Sequence, residues 1–181
     1  MKATGIVRRI DDLGRIVVPK EIRRTMRIRE GDPIEIFTNR EGEILLKKYS
    51  PIGELSEFAE SYAESLSQTT GHLVCITDRD SVIAAAGPKK KEFEGKPLDQ
   101  SMTALIDGRK MVLATRGESN LVKITPDDER EFGAEAIITI NCSGDSIGAV
   151  VIIGKEEEKW QKESVRQLAQ TAAQFLGKQM E

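Results

Sequence analysis

Short apolar runs separated by polar turns open the chain. Residues 5–10 and 16–18 are β-branched runs and read as two strands, with Arg8 and Arg9 interrupting the first. Asp11-Asp12-Leu13-Gly14 between them reads as a turn, because Asp supports local side-chain hydrogen bonds and Gly accepts positive φ. Pro19 ends the second run and opens a short helix, where its missing N–H costs nothing. Ile22 and Met26, four apart, share one face of that helix, and Arg23, Arg24 and Arg27 fall largely on the other. Gly31 and Pro33 stop it. Residues 34–38 and 43–48 then read as a hairpin across Asn39-Arg40-Glu41-Gly42.

The pattern changes past Tyr49-Ser50-Pro51. Leu55, Phe58, Ala59, Tyr62, Ala63 and Leu66 recur at helical spacing, opposite Glu54, Glu57, Glu60 and Glu64. That predicts one amphipathic helix ending near Gly71. Strands are expected at 72–77 and 81–86, a loop from Gly87, a short helix at 97–106, and further strands at 110–115 and 120–124. A strong hairpin is expected from 134–141 and 146–153, and a long helix over about 156–179. Two domains follow, 1–50 and 54–181. The second is a sheet of five or six strands with helices at both ends of its sequence, an α+β plan.

Charge separates the same two parts. Residues 1–50 carry 12 Lys/Arg against 8 Asp/Glu, and residues 51–181 carry 15 against 22. Within residues 1–29 the ratio is 9 to 3, although the whole chain has a net charge of −3. A basic module joined to an acidic one points to a polyanion as partner of the first alone, or else to two solvated surfaces. Arg supplies a planar fork that bridges two acceptors on a guanine edge, and any cation is drawn to phosphate. A segment of about 50 residues buries too little surface to stand alone comfortably. With no disulfide or metal to help, a homodimer sharing one core is expected.

Other chemistries find little in the sequence. There is no phosphate-binding GxxxxGK[ST] loop and no GxGxxG. His72 is the one histidine, so no metal cluster or catalytic dyad is expected, and no cofactor. Cys75 and Cys142 lie in apolar strand-like surroundings and read as buried free thiols. Lys89-Lys90-Lys91 could meet an anion, but a lysine run in a loop reads first as solvated. Met1 leads straight into charged sequence, with no signal peptide or membrane span, so a cytoplasmic location is expected.

The stretch TGIVRRIDDLGRIVVPKEIRRTMRIREGDPIEIF resembles the AbrB-type swapped-hairpin DNA-binding domain of bacterial transition-state regulators. The resemblance implies an intertwined swapped-hairpin β-barrel dimer, one short helix per chain, that binds double-stranded DNA. It implies DNA contacts at Arg8, Arg15, Arg23 and Arg24. Arg9, Lys20, Arg27 and Lys2 are added by charge and proximity only. The hairpin around GDSIGAVVIIG with its terminal helix resembles a GAF domain, an antiparallel sheet flanked by helices. Together the halves resemble sporulation regulators of endospore-forming bacteria that both activate and repress forespore genes. That implies tetramers joined through helices flanking the GAF-like domains, and leaves room for an unidentified small-molecule effector. Two alternatives remain at this point. Related swapped-hairpin domains occur in antitoxins, and the first domain could serve assembly without DNA.

Overall fold

The computed structural model describes residues 6–115, 121–129, 133–154 and 160–180. The chain divides into unit 1, Met1–Tyr49, and unit 2, Ser50–Glu181.

In unit 1, helix α1 spans Lys20–Thr25, and strands β1, Ile34–Thr38, and β2, Ile44–Lys48, form an antiparallel hairpin. Ile34 faces Lys48 and Ile36 faces Leu46. The Asn39 side chain shapes the turn, its Oδ1 accepting the N–H groups of Glu41 (3.1 Å) and Glu43 (2.9 Å). The strands expected at 5–10 and 16–18 are absent among the described residues; residue 5 lies outside them. Among the described residues the backbone–backbone bonds of this part are those of the 11–15 turn, Asp11 N–H to the Arg15 carbonyl (3.1 Å) and Gly14 N–H to the Asp11 carbonyl (3.0 Å). A strand exists only against a neighbour, and one copy of the chain offers these residues none. Pro19 is the only buried residue among the described residues of unit 1. Val7 is 85% exposed and Ile36 69%, and Phe37, Ile44, Leu45 and Leu46 are exposed as well.

Unit 2 begins with a short helix across the boundary expected between residues 50 and 54. Helix α2, Pro51–Glu54, is capped by the Ser50 hydroxyl, which accepts the Gly53 N–H at 3.1 Å. Helix α3, Ser56–Thr70, ends on left-handed Gly71 (φ 70°). Next come β3 (Leu73–Thr77), β4 (Val82–Ala86), α4 (Gln100–Asp107), β5 (Val112–Thr115), β6 (Ala134–Cys142), β7 (Asp145–Gly154) and α5 (Lys162–Gln179). The five strands pair antiparallel in the order β4-β3-β7-β6-β5.

Both faces of this sheet are covered, which is why β3 and β7 read as unbroken apolar runs. Val74, Ile76, Val150 and Ile152 pack with Ala59, Ala63 and Leu66 of α3 and Val165, Ala169 and Leu176 of α5. Cys75, Ala149, Val151 and Ile153 pack on the other side with Phe93 and with Met102 and Ile106 of α4. Helix α5 lies so close to β6 that a side-chain carbon on Gly177 would overlap the Asn141 carbonyl oxygen.

Two expectations for this unit change. No strand forms at 121–124, and residue 120 lies outside the described residues. Instead the Val122 N–H donates to the Glu135 carboxylate (2.6 Å) and the Ile124 N–H to that of Asp128 (3.0 Å). The long C-terminal helix starts at Lys162, and residues 156–159 lie outside the described residues.

Candidate nucleic-acid interface

The turn at 11–15 fixes the base of Arg15. Asp11 Oδ1 accepts the N–H groups of Leu13 (3.0 Å) and Arg15 (2.8 Å), and Asp11 Oδ2 accepts the Arg15 Nε–H at 2.8 Å. The Arg15 backbone N–H, then its guanidinium, hold the Asp11 carboxyl below its ordinary pKa. Gly14 takes the positive φ (75°) that closes the turn. Both partners of this ion pair face solvent. Solvent-exposed pairs of this kind are weak, so a phosphate can take the guanidinium over from Asp11 at little cost.

Helix α1 follows buried Pro19. It is six residues long and buries none of them, and Arg23 and Arg24 lie in its last turn. Cations there favour the negative end of the helix dipole by roughly 0.3–1 kcal/mol. The chain leaves α1 through a two-bond closure: Ile28 N–H reaches the Arg23 carbonyl (2.7 Å) and Arg27 N–H the Arg24 carbonyl (3.3 Å). Arg27 takes the left-handed position of that closure, with φ 52°.

Arg8, Arg9, Arg15, Lys20, Arg23, Arg24 and Arg27 are all solvent-exposed, and Lys2 lies outside the described residues. The structure groups Lys20, Arg23, Arg24 and Arg27 on or directly after α1, and couples Arg15 to Asp11. Arg8 and Arg9 sit in the segment without strand pairing. Arg29, part of the same basic run, is half-buried, its N–H donating to Asp32 Oδ2 at 2.8 Å. Sequence reasoning missed Asp32 and Lys48. The Lys48 Nζ lies 3.0 Å from Asp32 Oδ2 and donates to the Arg27 carbonyl at 2.9 Å. Nothing in local spacing signals a contact across 21 residues.

In unit 2, Cys75 is buried as expected, but Cys142 is half-buried. It is the last residue of β6, beside the turn at Ser143, and its Sγ donates to the Met180 carbonyl at 3.2 Å. His72 is buried against Trp160, ring centres 5.3 Å apart, and that burial lowers its pKa. Lys89 and Lys91 are exposed, and Lys89 pairs with Glu92 at 3.7 Å. Among the described residues no group of three His, Cys, Asp or Glu side chains is placed to hold a metal. Phe58, Tyr62 and Phe175 form a ring cluster on α3 and α5, with centroids 5.6–6.2 Å apart.

Comparison with known proteins sets this arrangement in a class. Residues 54–181 match the family model "Stage V sporulation protein T C-terminal, transcription factor". Residues 7–54 match "Antidote-toxin recognition MazE, bacterial antitoxin". The transition state regulatory protein AbrB of Bacillus subtilis (strain 168) is 46% identical over 74 residues, 41% of this chain and 76% of that protein. The GAF domain of Acinetobacter phosphoenolpyruvate-protein phosphotransferase superposes with a TM-score of 0.57 at 11% identity, covering 74% of this chain and 84% of that one; the likeness is one of fold. The class is therefore a two-domain transcription factor, AbrB-like at its N-terminus and GAF-like after it.

Stage V sporulation protein T of Bacillus subtilis (strain 168) is 49% identical over 181 residues, covering 100% of this chain and 99% of that protein. The chain belongs to the stage V sporulation protein T family. The antitoxin alternative is not favoured, since that model covers only the first domain and the rest carries the regulator family's own C-terminal domain.

Proposed function

We propose that this protein regulates sporulation-stage, forespore-type promoters, activating some and repressing others. Unit 1 grips double-stranded DNA through Arg8, Arg15, Arg23 and Arg24, with Arg9, Lys20, Arg27 and Lys2 adding charge around them. The observation that carries this reading is the exposure of every described member of that set on the basic part of an otherwise acidic chain. Arginine contacts of this kind fix register on the phosphates and supply forks for base edges.

The same reading makes unit 1 a homodimer. Its exposed β1, β2 and 6–18 side chains are the missing halves of a shared core. Burying one Val, Leu, Ile or Phe contributes about 1.5–3 kcal/mol, so a few from each chain suffice to hold two copies together. The Phe58, Tyr62 and Phe175 rings, two of them 38% exposed, supply the contact that joins dimers into tetramers. Unit 2 serves as the sensor of an unidentified small molecule or partner. No helix among the described residues is long and apolar enough to cross a membrane, which suits action on DNA in the cytoplasm.

The test is a titration of labelled duplex DNA with the full-length protein and with Arg23→Ala/Arg24→Ala, with circular dichroism confirming that both are folded. Binding by the first and a loss of roughly tenfold or more in the second supports the reading. Equal binding by both contradicts the assignment of α1 to DNA. Intact assembly without any DNA binding would favour the assembly-only alternative.

A further inference from the structure

Helix α1 is too short to hold itself. Six residues lie far below the length at which a helix persists alone in water. It has no side-chain N-cap and buries no residue. Its C-terminal closure is tied down just past the helix, where the Arg27 carbonyl takes a donor from outside α1. The Lys48 ammonium supplies that donor at 2.9 Å and is held in turn by Asp32 at 3.0 Å. Asp32 Oδ2 also accepts the Arg29 N–H at 2.8 Å. The Lys48 and Asp32 side chains are 19% and 3% exposed, so this ion pair is shielded from water. Arg27 meanwhile holds a left-handed backbone, a place where glycine is the easiest residue.

We propose that Asp32 and Lys48 are positioning residues for DNA binding. They bolt the turn that leaves α1 to the end of β2, and so fix the direction in which Arg23, Arg24 and Arg27 point. The proposal rests on unit 1 being a DNA-binding domain. It makes a prediction that charge alone reverses. Asp32 is an anion in a domain that meets a polyanion, so by electrostatics its removal tightens DNA binding. By positioning, its removal weakens it.

The test uses the full-length protein, a duplex selected from a randomised pool by the unaltered protein, and heparin as a polyanion without base edges. Asp32→Asn, Lys48→Gln and Lys48→Arg are compared, each with a thermal melt. Asp32→Asn and Lys48→Gln are expected to lose roughly tenfold in affinity for the selected duplex. Heparin affinity should stay within about threefold, because the arginines remain but lose their alignment. Lys48→Arg, which keeps the donor and the pair, should restore most of the duplex affinity.

A folded Asp32→Asn that binds the duplex as well as or better than the unaltered protein overturns the proposal. So does a loss of duplex and heparin binding in equal proportion alongside a collapsed melt, which marks a purely structural pair. If Asp32→Asn does not fold, the two Lys48 variants decide: equal duplex affinity for Gln and Arg overturns the proposal. An unaltered protein that binds neither duplex nor heparin brings down the DNA reading itself, and the proposal with it.

Discussion

In unit 2 the side chains of β3 and of residues 148–154 in β7 are buried on both faces of the sheet, whereas in unit 1 Ile36, Phe37, Leu45 and Leu46 stand in solvent. Both stretches are equally strand-like in sequence. The difference is where their covering layer comes from. Unit 2 carries α3, α4 and α5 to close over its sheet. Unit 1 carries one exposed helix of six residues. Apolar strands without a covering layer mark an interaction surface, which under the proposed homodimer a second copy covers. On that proposal the arginines ride on a scaffold completed by assembly, while unit 2 supplies its own covering layer.

The largest expected effect follows from that contrast. Ile36→Asp alters a side chain that is 69% exposed in one chain. A true surface change of this kind stays within about 0.5 kcal/mol. If Ile36 belongs to a shared core, the variant loses several kcal/mol and unit 1 unfolds, as amide NMR of the full chain would show. Gly177→Val is next. Its side chain meets the Asn141 carbonyl, so unit 2 should lose about 1–3 kcal/mol in denaturant titration while the unit 1 amides keep their positions. Phe58→Ala/Phe175→Ala removes two rings stacked at 5.7 Å and should shift tetramers to dimers in sedimentation without unfolding unit 2. A tetramer that survives moves the joint elsewhere.

The smallest effect is a pH order between the units. Burial lowers the His72 pKa below its usual 6.5, so the folded state holds the ring neutral. The unfolded chain takes up the proton first, and unit 2 loses stability as pH falls below 6.5. Fluorescence of Trp160, the one tryptophan, reports this directly. Asp11 behaves differently because its folded pKa is lowered from 3.8. Its contribution is in place above that value and is lost only as pH falls through the lower folded one. Unit 2 should therefore soften at mildly acid pH while the 11–15 turn stays closed. The reverse order would contradict both assignments.

Most of unit 2 was legible because its elements carry their own period. The hairpin expected at 134–141 and 146–153 appears as Ala134–Cys142 and Asp145–Gly154. The failure at 121–124 has a specific cause: the carboxylates of Glu135 and Asp128 satisfy N–H groups that a strand would have offered to a neighbour. Spacing cannot reveal that substitution. In unit 1 the pattern of 5–10 and 16–18 spoke for strands that the described residues do not form, because an apolar run signals a strand without naming the neighbour it needs. The exposed arginines were legible from composition and resemblance. Asp32 and Lys48 were not, since their meaning depends on a fold that brings residue 48 to the end of α1.

The measurement that bears most directly on the account is the affinity of the full-length protein for duplex DNA over a series of salt concentrations. Neutralising roughly 4–8 phosphates per dimer predicts a slope of log affinity on log salt of about −4 to −7. Arg23→Ala/Arg24→Ala should flatten it by about 3 to 4, the share of four arginines in a dimer. A slope near zero, or one the double variant leaves unchanged, would contradict the assignment of this face to DNA.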